Sequence, residues 1–262
     1  MRNSEPGAGR HWLTPQWDAD TGIGACMTTR DGGVSSAPWA SMNLGLGSGD
    51  APAAVLANRE RLAAAIGATP VFLRQVHGER VVRVDASMAA AAPEAADASW
   101  TREPGVACTV LVSDCLPVLL AAPQGRAVGA AHAGWRGLAC GVVERCVEAV
   151  CAGAACSPAD LVAWLGPCIG PDEFEVGADV LRAFGVEPLP QGHQRFRYAP
   201  RGPADPRWRA DLSALARDRL AALGVHRVSG GPWCTVRDRS RFFSYRRDGI
   251  TGRMAAAVWI AR

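Results

Sequence analysis

The sequence contains no lysine, so all 28 basic residues are arginine, and their guanidinium groups suit bidentate binding of anions. The net charge is only +3, whereas nucleic-acid binding normally requires a concentrated basic face, so we expect no nucleic-acid partner. A long uninterrupted apolar run is also missing, because Asp114 and Pro117 break the stretch 106–123. We therefore predict no membrane span, and the polar start of the chain predicts no signal peptide.

The nine cysteines are scattered along the chain and include no C-x-x-C pair. A secreted protein held together by disulfides would show a different pattern. We therefore expect a cytoplasmic protein with reduced thiols, in which most cysteines are small buried hydrophobes.

The chain has 262 residues, of which 48% are hydrophobic, and this is enough for one substantial core. We predict a single domain over residues 1–262, with residues 1–19 as an N-terminal arm. Residues 28–50, rich in glycine and serine, are typical of loop.

Apolar periodicity gives the expected elements. The predicted helices cover 52–67, 137–155 and 211–225. Asp211 is the expected N-cap of the last helix. Buried strands are predicted at 108–115, 118–122, 127–133, 161–167, 241–248 and 254–261. Because strands and helices do not alternate strictly, the sequence predicts an α+β fold with mixed sheets.

Two of the five histidines, His77 and His132, lie in strand-like segments and are followed by a glycine turn. Cys115 lies in another apolar run, SDCLPVLL. Two imidazoles and one thiolate form a three-ligand zinc set whose fourth position stays open for water or substrate. The alternative is a nucleophilic Cys115 activated by His132, in which His77 takes no part. The residues alone leave both alternatives open.

Eight blocks occur in one order between residues 20 and 260: TTRDGGVS, MNLG, NRERL, RQVHG, SDCLPVLL, AAHAGWRG, GPCIGPDEFEVG and FFSYRRDGITGRMAAAVWI. In these blocks the chain resembles the YfiH-type family, which is also called the multicopper polyphenol oxidase (laccase) domain family and now purine nucleoside phosphorylase. The resemblance implies a four-layer α/β/β/α sandwich, with zinc held by His77, Cys115 and His132. It also implies phosphorolysis of adenosine, inosine and methylthioadenosine, with adenosine deamination as a companion activity. Purine nucleosides and phosphate are then the partners, and we expect a monomer or a small homo-oligomer.

Other functions compete with this expectation. Some bacterial members of the family are linked to correcting a muropeptide precursor of peptidoglycan, so a Cys–His hydrolase or amidase is the first rival. A non-enzymatic metal-binding module is the second. The laccase name implies copper, and one cysteine with two histidines could bind one copper ion. Five histidines cannot supply a multicopper oxidase, however, so laccase chemistry ranks below purine chemistry.

Phosphorolysis requires a bound phosphate, which guanidinium groups suit. Arginines within the family blocks are the candidates: Arg30, Arg59, Arg136 and Arg247. Arg136 is favoured because it follows His132 closely at a predicted helix start, where an anion is stabilised. Each could instead be solvated or paired with a carboxylate.

The remaining candidates are amides and carboxylates. Asn43 and Gln75 are predicted to read a purine edge or a ribose hydroxyl. Glu175 is a candidate general acid or base beside the catalytic Cys115 and His132, or else the partner of an arginine. Asp114 is predicted either to orient a metal ligand or to cap a turn.

Overall fold

The computed structural model describes residues 12–191 and 193–262, so residues 1–11 of the predicted arm lie outside the described residues. The strands are β1 (Ile23–Met27), β2 (Thr69–Phe72), β3 (Val81–Arg83), β4 (Ala98–Thr101), β5 (Val106–Val112), β6 (Leu116–Ala121), β7 (Val128–Ala133), β8 (Val162–Leu165), β9 (Glu175–Val176), β10 (Phe196–Tyr198), β11 (Trp208–Ala210), β12 (Arg227–Gly230) and β13 (Met254–Ile260). The α-helices are α1 (Pro52–Ile66), α2 (Trp135–Cys140), α3 (Val142–Ala154), α4 (Ala178–Ala183), α5 (Leu212–Ala222) and α6 (Tyr245–Asp248).

Two large sheets dominate the described part of the chain. A four-stranded sheet has the order β1-β13-β5-β2, and a six-stranded sheet has the order β12-β8-β6-β7-β4-β3. Each combines antiparallel neighbours with parallel ones: β2 with β5 in the first, and β3 with β4 and β8 with β12 in the second. The small sheet β10-β11-β9 is antiparallel. The predicted mixed sheets are confirmed.

The alternation of side chains along the strands separates three apolar clusters. In β13, Ala256 faces the second sheet, whereas Ala257 packs in a cluster with Leu62 of α1. In β6, Leu119 faces the first sheet, whereas Leu120 packs in a cluster with residues of α3 and α5. The layers are therefore helix, sheet, sheet, helix. Strands buried on both faces are apolar throughout, which is why they are visible in the sequence.

Helix ends agree with the local signals at two of the three predicted helices. α1 is followed by Gly67 in the left-handed region at φ 62°, and the Asp211 side chain accepts a hydrogen bond from the Ala214 N–H at 2.9 Å. The helix predicted over 137–155 is instead two helices, because Gly141 between them has φ 100°. Within the described ranges, no helix has the length and apolar character that crossing a membrane requires.

The strand predicted over 241–248 is wrong. Phe242 and Phe243 are completely buried, but the chain turns directly after them into the single turn of α6. Ser244 caps this turn, since its side chain accepts a hydrogen bond from the Arg247 N–H at 3.2 Å. The apolar pair resembles a strand in the sequence, but no strand forms because Ser244 starts a helical turn directly after it.

Candidate functional site

The candidate site lies at one end of the sandwich, where strands of the six-stranded sheet start and stop. β7 pairs antiparallel with both β4 and β6. His132, near the end of β7, therefore lies between Asp97, which directly precedes β4, and Cys115, which directly precedes β6. Val128 and Ala130 of β7 face the four-stranded sheet, so His132, two residues further on, also points between the sheets.

His77 joins this pair from the turn between β2 and β3. Its Nε2 is 3.8 Å from the Cys115 Sγ, and its ring meets the His132 ring edge-on, with centroids 4.8 Å apart. One ligand atom from each of the three residues lies within 4.8 Å of the others. Zinc–sulfur and zinc–nitrogen bonds at a tetrahedral angle separate the donors by about 3.6 Å, so a small contraction would fit a metal ion. The predicted ligands thus converge, and the exposed His77 marks the open side.

Asp97 is the residue that sequence reasoning missed. Its completely buried carboxylate accepts a hydrogen bond from the His132 Nδ1–H at 2.8 Å. It also accepts the backbone N–H groups of Val76, His77 and Gly78 at 3.0, 2.9 and 2.8 Å. One carboxylate therefore fixes both the ring of His132 and the backbone that carries His77. The available signal was weak: an acidic residue directly before a buried strand.

Opposite charges develop at Cys115 and His132. Burial raises the pKa of the Cys115 thiol, but the charge of His132 and hydrogen bonds from His132 and His77 outweigh it and leave that pKa below its ordinary value. Burial lowers the pKa of His132, but the charge of Cys115 and the hydrogen bond to Asp97 raise it above its ordinary value. A thiolate is required both of a metal ligand and of a nucleophile, so this pairing is compatible with either role.

Gly134 leaves space for the side chains of the cluster because it has no side chain of its own. A Cβ atom at this position would lie 2.9 Å from the Cys115 Sγ and 3.0 Å from the His77 Cδ2. Its φ of −63° is open to any residue, so space rather than backbone conformation requires glycine here. The HAGWRG segment therefore brings the backbone of α2 directly against the two ligands.

Arg247 is fully engaged in holding the 235–248 segment. Its Nε and Nη2 donate to the Asp248 carboxylate, and Nη2 also donates to the Phe242 carbonyl. Its Nη1 donates to the carbonyls of Thr235 and Val236. All five guanidinium donors are thus used, and none remains for phosphate.

The other candidate arginines are more available. Arg30 donates to backbone carbonyls of two loops. Arg136 is exposed and stacks on Trp135 at 4.3 Å, while Arg59 is half-buried and stacks on Phe72 at 3.8 Å. Because α2 has only six residues, its dipole adds little to anion binding at Arg136. Arg59 and Arg136 keep their terminal Nη donors free of partners within the described ranges.

The two candidate amides both form hydrogen bonds within the protein. Asn43 is completely buried, and its amide bonds within its own loop and to the Arg253 backbone N–H. The Gln75 amide donates to the Leu111 carbonyl at 2.8 Å and accepts the Leu111 N–H at 2.7 Å. Asn43 is therefore committed to its own loop, whereas the half-buried Gln75 keeps its second amide N–H without a partner among the described residues, and its contact with a substrate stays a prediction.

Glu175 lies on the small sheet, where it forms ion pairs with Arg201 and, at 3.4 Å, Arg209. The hydrogen bond from Arg201 holds the pKa of Glu175 below its usual range. A carboxylate stabilised in this way is a poor general acid, and the arrangement matches the ion-pair alternative.

Asp114 closes a loop rather than orienting a ligand. Its carboxylate accepts hydrogen bonds from the hydroxyls of Thr235 and Ser244, at 2.6 and 2.8 Å, and from the Arg246 N–H at 2.7 Å. These contacts match the turn-capping alternative for Asp114, while it is Asp97 that bonds to the His132 ring.

A sandwich of two sheets between helices, with a His–Cys–His cluster at one end, defines a class of α/β proteins that could bind one metal ion. The chain belongs to the family described as multi-copper polyphenol oxidoreductase laccase, whose model matches residues 24–261. The resemblance noted in the sequence is thereby confirmed.

Named relatives cover nearly the whole chain. A purine nucleoside phosphorylase of Pseudomonas aeruginosa is 49% identical over 251 residues, which are 95% of this chain and 98% of that protein. The purine nucleoside phosphorylase YfiH of Escherichia coli is 44% identical over 250 residues, with the same coverage of 95% and 98%.

Solved structures share the fold. A Neisseria meningitidis protein, 44% identical, superposes with a TM-score of 0.87 over 97% of this chain and 100% of its own. YlmD from Geobacillus stearothermophilus, 32% identical, superposes with a TM-score of 0.86 over 97% of both chains. The four-layer arrangement is therefore the fold of this family.

Proposed function

We propose that this chain is a zinc-dependent purine nucleoside phosphorylase acting on adenosine, inosine and methylthioadenosine, with adenosine deamination as a companion activity. The observation that carries the proposal is the convergence of His77, Cys115 and His132 at the open end of the sandwich. The names of the Pseudomonas and Escherichia relatives support the reaction type.

The donor set fits zinc. Two imidazole nitrogens and one thiolate with an open side are typical of catalytic zinc sites, and a carboxylate bonded to the far nitrogen of a histidine ligand is a common support. His132 has this support, since its Nδ1 is bonded to Asp97 and its Nε2 stays available as a ligand. Zinc, when bound, supplies Lewis acidity that activates water or polarises a substrate.

The reaction defines what the residues must do. In phosphorolysis, a phosphate oxygen bonds to ribose C1′, the C1′–N9 bond breaks, and its electron pair leaves with the purine, which takes a proton. In deamination, water replaces the 6-amino group, which leaves as ammonia. Asp97 keeps the His132 proton on Nδ1, and the exposed side of His77 admits the substrate.

A copper oxidase is the weaker alternative. The cluster holds two imidazoles, whereas His193 lies beside Phe196 and His226 beside the edge strand β12. Oxygen reduction by a multicopper enzyme needs several further imidazole ligands, and the described chain does not place them together.

A Cys–His hydrolase acting on a muropeptide precursor is the second candidate. The lowered pKa of Cys115 beside His132 favours it, since a thiolate is the attacking form. This rival requires neither phosphate nor His77.

The test is incubation of metal-quantified protein with inosine, with and without phosphate. We expect about one zinc per chain, and hypoxanthine with ribose 1-phosphate only when phosphate is present. His77→Ala and Cys115→Ala are expected to lose zinc and turnover together, whereas Cys140→Ala, which removes an exposed thiol, keeps both. Turnover that survives complete chelation, or zinc retained by both ligand variants, would contradict the proposal.

A further inference from the structure

Arg59 and Arg253 are half-buried arginines without a carboxylate partner among residues 12–191 and 193–262. Other arginines, such as Arg195 and Arg219, pair with carboxylates at 2.7 Å. Burial lowers the pKa of Arg59 to about 10 and lowers that of Arg253. A desolvated guanidinium that has no counter-ion attracts an anion strongly.

The short loop segment 44–45 contacts both arginines, because the Arg59 guanidinium bonds to Leu44 and the Arg253 Cγ packs against Gly45. The Leu44 carbonyl accepts a hydrogen bond from the Arg59 Nε at 3.0 Å, and the Leu44 N–H donates to the Arg253 carbonyl at 3.0 Å. The Asn43 Oδ1 accepts the N–H groups of both Gly45 and Arg253, at 3.0 and 2.8 Å. Asn43 thus fixes the loop that both arginines contact.

Arg253 lies at the cluster end of the sandwich. It directly precedes β13, in which Met254 is opposite Val112, and Cys115 follows Val112 by three positions. The charges of Cys115 and Asp114 act on Arg253 and partly offset the lowering of its pKa by burial. The guanidinium is therefore within electrostatic reach of the predicted metal ligands.

Both side chains keep donors for a ligand. Arg253 uses Nη1 for the carbonyls of Thr251 and Gly252, while its Nε and Nη2 have no partner among the described residues. Arg59 uses only Nε, and its Nη1 and Nη2 are likewise without a described partner. Neither side chain has a fully buried nitrogen without a partner, so the spare donors border solvent. The two arginines thus offer four nitrogens beside one loop.

We propose that Arg59 and Arg253 together bind inorganic phosphate beside the His77–Cys115–His132 cluster. This assignment rests on the proposed phosphorolysis and gives the phosphate its site. Two guanidinium groups match the oxygens of phosphate by bidentate bonds, and neither forms an ion pair with a carboxylate among the described residues that phosphate would have to displace. Arg247 is excluded by its saturated donors, and Arg136 is exposed, where screening weakens its attraction.

The test measures phosphate in two ways: calorimetric titration of the zinc-loaded protein with inorganic phosphate, and the KM for phosphate in inosine phosphorolysis. We expect Arg59→Met and Arg253→Met each to weaken phosphate binding and raise that KM about 10- to 100-fold, with the KM for inosine changed less than about 3-fold. Arg83→Met is the matched control. Arg83 also stacks on an aromatic ring, at 5.7 Å from Trp100, but it is exposed, and Trp100 packs in the cluster with residues of α3 rather than between the two sheets.

Gly45→Ala provides a second variant that retains both guanidinium groups. The Gly45 φ of −95° accepts alanine, but the added Cβ would lie 2.6 Å from the Arg253 Cγ and displace that side chain. We expect a raised KM for phosphate in this variant also. The folding of every variant is checked by circular dichroism and by its zinc content.

The outcomes separate this assignment from the proposed reaction. If the protein binds phosphate through Arg59 and Arg253 but shows no phosphorolysis, the anion site is supported and the proposed reaction is refuted. If the protein carries out phosphorolysis and both methionine variants keep the wild-type KM for phosphate, the reaction is supported and the anion site is refuted. Failure of the wild-type protein to bind millimolar phosphate would also overturn the site.

Discussion

Replacing Asp97 by asparagine tests the support of the cluster with a change of one atom. Oδ1 accepts from the His77 N–H and the His132 Nδ1–H, while Oδ2 accepts from the N–H groups of Val76 and Gly78. Asparagine has one oxygen and one NH₂ group. Whichever way its amide is placed, the NH₂ group therefore faces two N–H donors.

The two orientations of the asparagine amide remove different hydrogen bonds. With NH₂ at the Oδ2 position, the N–H groups of Val76 and Gly78 lose their acceptor in a buried place. With NH₂ at the Oδ1 position, His132 can accept at Nδ1 only by moving its proton to Nε2, which then no longer binds metal. Since hydrogen bonds to a charged group contribute about 1.5–3 kcal/mol each, we expect Asp97→Asn to reduce the free energy of unfolding by about 3–5 kcal/mol. Zinc affinity is expected to fall about 10- to 100-fold.

Two assays check these values. Urea unfolding of the metal-free protein, followed by circular dichroism, gives the stability, and competition with a chromophoric chelator gives the zinc affinity. Asp85→Asn is the control, because Asp85 is exposed and caps a short turn, a role that asparagine fills equally well. Wild-type stability together with wild-type zinc affinity in Asp97→Asn would refute the role assigned to this carboxylate.

Other substitutions give sharp expectations. Gly134→Ala places a methyl group against two ligands and should lower zinc affinity at least about tenfold with little loss of metal-free stability; an unchanged affinity would contradict the geometry. Iodoacetamide followed by peptide mapping should modify Cys115 only after chelation, whereas burial raises the pKa of Cys168 to about 12 and should protect it throughout; rapid modification of Cys115 in active, zinc-loaded protein would favour the nucleophile alternative. Glu175→Gln should keep kcat within about threefold, because its carboxylate is paired with arginine; a much larger loss would restore its catalytic role. Arg247→Met should lower the denaturation midpoint and leave the KM for phosphate unchanged, and a raised KM would assign phosphate to this side chain instead.

The sequence predicted the strands that are buried on both faces, missed shorter elements such as β1, β9 and α4, and was wrong where a single residue decides the local conformation. β5, β6 and β7 are apolar on both faces, so their residues alone identify them. Gly141 and Ser244 were not used as signals, and they break a predicted helix and end a predicted strand. Layer order needed the family resemblance, because apolar runs do not say which sheet a strand joins.

The site divides in the same way. The two histidines and the cysteine stood out because imidazoles are few and each lay beside an apolar run or a glycine turn. The roles of the arginines were not predictable, since the saturated Arg247 and the uncompensated Arg253 differ only in their tertiary partners. The role of Asp97 was not predictable for the same reason, because the four groups that donate hydrogen bonds to it lie in β7 and in a turn about twenty residues earlier in the chain.

The backbone of His77 separates the two roles that remain open for Cys115. His77 has φ 60°, a left-handed conformation that costs a residue other than glycine roughly 1–2 kcal/mol. The Asp97 carboxylate offsets this cost with the N–H groups of Val76, His77 and Gly78, and the result is an imidazole 3.8 Å from the thiol. A nucleophilic Cys115 needs only His132 as its base, so it would give no reason to hold a second imidazole in this conformation. A metal ion needs all three side chains at once, and the strained turn supplies the third ligand, His77.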